Sequence, residues 1–153
     1  MGEKPFRWPA GLRHVFDANR PPPPVETIPM TRVDLEAALA RAAKRALSRP
    51  QGSFAIVSSG DVYVQALMCE REASGELSVE LEAVSQRYCS EMTNEMRLAL
   101  GAEGWARPTA AEPNHHRAFF PFHPRLAAHV MTRALRIYGL ALGDPVEVTI
   151  DDV

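Results

Sequence analysis

The residues able to do chemistry are few, and their spacing decides what they can do. His115 and His116 are adjacent, and adjacent residues on a strand point to opposite faces, so they cannot share a metal ion. His123 and His129 lie off a common helical face, and no HExxH pair occurs. Tetrahedral ligation needs convergent donors that these positions do not supply, so the histidines read as surface or hydrogen-bonded groups. Cys69 and Cys89 form no CxxC pair and read as reduced packing thiols. No GxSxG, GxxxxGK[ST] or GxGxxG is present, which removes the usual nucleophile elbow and phosphate cradles. Glu80 and Glu82 fall on one strand face and have the chemistry of an acid–base pair, but nothing nearby shifts a carboxylate pKa, and solvated strand charges explain them better. The expectation is therefore no catalytic, cofactor or metal site. The alternative is a small-ligand or enzyme site assembled only in the fold, from His115, Glu80, Glu82 and Arg117.

The elements that would position these groups follow from apolar periodicity. Thr31 caps a helix whose Leu35, Leu39, Ala42, Ala46 and Leu47 recur at helical spacing, with Asp34 in the first turn. Ser48, Pro50 and Gly52 stop it. Three strands follow, 54–58, 62–69 and 77–84, joined by turns at Ser59-Gly60-Asp61 and Ala73-Ser74-Gly75. The second alternates loosely, as if buried on both faces. The third alternates cleanly, with Leu77, Val79, Leu81 and Ala83 on one face. Tyr88, Met92, Met96 and Leu100 then recur every fourth residue, which predicts a helix over 85–100, or a shorter one capped by Thr93. A loop around Trp105, a strand 116–122 placed at an edge by Pro121, a helix opening on Pro124 and a strand 146–150 complete the chain. The expected fold class is α+β, an antiparallel sheet covered by helices on one face, in the order α-β-β-β-α-β-α-β.

Residues 1–29 hold seven of the thirteen prolines, so they read as an arm, and 30–153 as a single α+β domain. The arm also carries Phe6, Trp8, Leu12, Val15 and Phe16, more apolar than a solvated linker; it reads as a segment docking on the body or on a second subunit, or as a disordered tail. A net charge of -2 with signs interspersed gives no footprint for nucleic acid. No apolar run is long enough for a membrane span, and residues 1–19 lack the apolar core of a signal peptide, so a cytoplasmic location is expected.

The stretch V-Y-V-Q at 62–65, L-S-V-E-L-E-A-V-S-Q-R-Y at 77–88, L-G-A-E-G-W at 100–105, Pro108, Asn114 and the apolar helix 125–138 together resemble the type III secretion chaperone-like family, in its actinobacterial TY-Chap branch, related to YbjN-like proteins. Gln86 stands where that family usually has Asn, and Ala102-Glu103 is inserted before Gly-Trp. The resemblance covers about half the chain. It implies a non-enzymatic, often dimeric domain, chaperone-like or an adaptor, that binds a partner protein without a cofactor. On that reading the partner surface is the edge strand with Phe119, Phe120 and Phe122, beside Tyr63 and Trp105.

Overall fold

A computed structural model describes residues 23–72 and 74–153. The element order is β1 (Val25–Pro29), α1 (Arg32–Ala46), β2 (Ser53–Ser59), β3 (Val62–Glu70), β4 (Leu77–Ala83), α2 (Asn94–Ala102), β5 (His115–Phe119), α3 (Pro124–Ile137) and β6 (Pro145–Asp152). The fold is α+β, with one six-stranded sheet in the order β1-β6-β2-β3-β4-β5 in which every neighbouring pair is antiparallel.

The order differs from the expected one by an added strand. Val25–Pro29 pairs with β6 from Val25↔Thr149 to Pro29↔Pro145. Proline at 24 and 29 hides this strand in the sequence, yet an edge position needs no outward N–H, so both prolines are tolerated there. Residues 1–22, and with them the docking expected of Phe6 to Phe16, lie outside the described residues.

Helix α1 begins as its sequence dictates: the Thr31 hydroxyl accepts from the Asp34 amide at 3.1 Å. Its Leu35, Ala38, Leu39 and Ala42 are buried against the sheet. Ser53 Oγ donates to the Ala42 carbonyl at 2.6 Å, which ties the start of β2 to this helix. Just before it, Gly52 has φ +85°, and a Cβ there would stand 2.1 Å from the Met68 carbonyl oxygen, so only glycine lets the two backbones approach.

Of the two expectations, a helix over 85–100 is corrected and the shorter helix capped by Thr93 holds, as Asn94–Ala102. Residues 85–93 form turns instead, with Tyr88 and Cys89 amides bonded back to the Ser85 carbonyl. Thr93 then caps α2, its hydroxyl accepting from Met96 N at 3.2 Å. The four-residue spacing misled because turns and helix feed one core: Cys89, Met92 and Leu100 are all buried. The strand expected over 116–122 is His115–Phe119 and does lie at a sheet edge.

Candidate functional site

The chain leaves β4 at Ala83, turns through Ser85–Arg87, runs along α2, and returns through Trp105–Pro113 to β5. These segments surround a cleft of about 730 Å³. The bracing is polar and buried. Asn114, 2% exposed, accepts from Ser85 N at 2.9 Å through Oδ1, and its Nδ2 donates to Tyr63 Oη and to Glu82 Oε1, each at 2.9 Å. Tyr138 Oη donates to the Val84 carbonyl. Burial pushes the hydroxyls of Tyr63 and Tyr138 well above the usual tyrosine range, so both stay protonated as braces.

The floor of the cleft is formed by its buried lining residues, Trp105, His115 and Ser85. Its rim carries three exposed arginines, Arg87, Arg97 and Arg107, and no acidic side chain lines it. Among the described residues none of the three makes an ion pair; Arg87 stacks on the ring of its neighbour Tyr88, 5.4 Å from its centroid. Two of the neighbouring acids are engaged elsewhere. Glu103 pairs with Arg133, which lowers its carboxyl pKa, and Glu112 lies 3.8 Å from His116 Nε2 on the outer side of β5.

His115 is 2% exposed, and its Nε2 is buried without a hydrogen-bond partner. Burial depresses its pKa below the ordinary 6.5; the nearby Arg97 charge lowers it further, and a hydrogen bond to the Ala106 backbone opposes the shift. Near neutral pH it is thus a neutral imidazole at the base of a cationic rim. Three guanidiniums around a sheltered, partly apolar cleft repel one another and attract oxyanions, for which arginine's planar fork is well suited.

The other expected site residues are scattered. Tyr63 is wholly buried as a brace, and Trp105 is in the cleft floor. Phe119 and Phe122 are partly buried against the core, while Phe120 is 46% exposed with the Arg71 guanidinium 4.7 Å from its ring centroid. The free edge of β5 is short. His116 exchanges both backbone hydrogen bonds with Ala106, so of the outward-facing backbone groups within the strand only those of Ala118 lie beyond that bridge.

The alternative constellation of His115, Glu80, Glu82 and Arg117 does not assemble. His115 and Arg117 share one face of β5, and His116 takes the other, beside Glu80 and Glu82. Arg117 donates to the Glu103 carbonyl, away from the carboxylates. The donors that could hold a cation are instead Glu80, Glu112 and His116, with ligand atoms within 4.8 Å of one another. Their ion-pair distances, 3.3 Å from His116 Nδ1 to Glu80 and 3.8 Å from Nε2 to Glu112, come without hydrogen-bond geometry. The two ring nitrogens face different carboxylates, so this ring offers a single ion only one of them together with one carboxylate.

Arg87, Arg97 and Arg107 were not singled out from the sequence. They alternate along the chain with Glu91, Glu95, Glu103 and Glu112, so the linear charge pattern is balanced and only the fold separates the signs. No protein-family model matches the chain, and comparison with curated proteins and with solved structures finds no match either.

Proposed function

We propose that the chain is a binding domain that captures an anionic ligand, a carboxylate or phosphate, in the arginine cleft. One observation carries the reading: three arginines without acidic partners among the described residues ring a cleft whose floor holds a buried imidazole nitrogen with no hydrogen-bond partner among them. If the neutral ring carries its proton on the other nitrogen, Nε2 accepts, and the preferred ligand then offers an O–H or N–H beside its charge. Citrate, pyrophosphate and an oligoglutamate peptide, each titrated into the full chain, test this. Saturable binding by the small anions marks a metabolite-type site, and binding by the peptide alone marks an acidic segment of a partner protein. No binding by any of them at low salt rejects the reading.

A second reading keeps the expectation of a chaperone-like or adaptor domain for a partner protein, self-associating as a homodimer. The observation favouring it is Phe120, exposed at the end of the edge strand beside a groove lined by Leu67, Cys69 and Phe119. It requires that Phe120→Glu abolish partner capture while the fold is retained.

A further inference from the structure

Helix α2 holds two residues that its own stability does not call for. Leu98 is 66% exposed, while Leu100 supplies the helix's buried contact. Gly101 stands in the last turn with helical backbone, whereas Gly104, three residues on, needs glycine for its φ of +94°. A glycine inside a helix costs stability relative to alanine. Packing does not demand one either. Apart from its own helix backbone, a Cβ at Gly101 would meet nothing within 4 Å.

Both residues line the arginine cleft. Arg97 and Leu98 precede Gly101 by four and three residues, so the three share one face of the helix. Further apolar lining comes from Trp105 in the floor and from Pro108 and Pro113, both half-buried, in the returning loop. The cleft thus has two kinds of wall: guanidiniums at the rim, and a stretch of leucine, proline, indole and bare helix backbone. Its volume of about 730 Å³ lies in the range that encloses a whole drug-sized molecule. A compact oxyanion would engage the arginines and leave the apolar wall in water.

We propose that the cleft takes an aromatic carboxylate, its ring laid on the wall formed by Leu98 and Gly101 and its carboxylate among the guanidiniums. The inference rests on the anion-binding reading of this cleft and adds the body of the ligand to it. Gly101 is then a specificity-determining position. Its missing side chain leaves room for a flat ring against the helix, a use glycine has wherever a ligand approaches backbone closely. A ring is favoured over a flexible chain because arginine's planar guanidinium stacks on aromatic faces as well as pairing with carboxylates.

The test is calorimetric titration of the full chain at low salt with 2-naphthoate, acetate and citrate. Naphthoate is expected to bind at one site, about tenfold or more tighter than acetate, and to be displaced by citrate. Gly101→Leu fills the bare wall. It should lower the ratio of naphthoate to citrate affinity by about tenfold or more. The melting midpoint should stay level or rise, since leucine is the better helix former and enters open space. Gly101→Ala, which adds one methyl, should lower the ratio by about twofold and carries the test if the leucine variant does not fold. Leu98→Ala should lower it by about threefold. Citrate binding with naphthoate no tighter than acetate overturns this inference and leaves the anion reading standing. So does an affinity ratio unmoved by the Gly101 substitutions, or naphthoate that citrate does not displace. Binding of neither citrate nor naphthoate removes both.

Discussion

The two ends of β5 differ in what the fold leaves unsatisfied. At the Asn114–His115 end, among the described residues, three guanidiniums lack acidic partners and a buried imidazole nitrogen lacks a hydrogen bond. At the Phe119–Phe120 end, Arg117 is bonded to the Glu103 carbonyl, Arg71 lies over the Phe120 ring, and little backbone edge remains. Stability is served by pairing charges and satisfying buried polar groups, so unpaired charges beside an unsatisfied buried nitrogen, on a scaffold braced by Asn114, are the features a ligand would complete. On the proposed reading this contrast favours the cleft over the exposed edge as the binding surface.

The largest effect expected at the cleft is that of reversing its charge. Arg97→Glu together with Arg107→Glu should weaken anion binding by about 100-fold or more, because each lost charge-assisted hydrogen bond is worth roughly 1.5–3 kcal/mol. Circular dichroism should be unchanged, since neither arginine makes an ion pair with a described residue. Retained binding by this variant would break the comparison.

Next in size is the brace. Asn114→Ala removes three hydrogen bonds at a buried position and strands the Ser85 amide. Urea unfolding should show a loss of about 2–4 kcal/mol. A loss below ~1 kcal/mol would mean that the cleft is not held by this residue.

A smaller effect comes from pH. The His115 pKa is depressed in the folded protein, so the unfolded chain binds the proton first. Its contribution to stability is complete above the ordinary pKa of 6.5 and is lost as the pH falls through it toward the depressed value. A bound anion favours the protonated ring and should reduce that loss. Thermal melts across this range, with and without citrate, measure both slopes; His115→Gln should flatten the difference.

The smallest effect belongs to the edge. Phe120→Glu should leave anion affinity within about twofold and stability within roughly 0.5 kcal/mol, because the side chain is largely exposed and the new carboxylate can pair with Arg71 where the ring stood. A large change in either would move the site toward β5 and favour the partner-protein reading.

Much of this fold is legible in the residues themselves. The Thr31 cap, the clean alternation of 77–83 and Pro124 at a helix start are local signals, and they produced elements near the expected bounds. What stayed hidden is non-local. Strand β1 is too short and too flanked by proline to announce itself, and it exists because β6, more than a hundred residues later, supplies its hydrogen bonds. The cleft is hidden for the same reason. Glu103 and Glu112 stand close to Arg107 in sequence, yet one turns to Arg133 on α3 and the other to His116 on the outer face of the sheet. Asn114 enters the sequence only as part of the family resemblance; that it joins Tyr63, Glu82 and Ser85 is a property of the closed structure.

The central claim is most directly tested by calorimetric titration of the full chain with pyrophosphate and with citrate at low and at physiological salt. The account predicts one saturable site that weakens with ionic strength and disappears in the Arg97→Glu, Arg107→Glu variant while surviving Phe120→Glu. Absence of binding at low salt, or binding indifferent to the arginine substitutions, would contradict it.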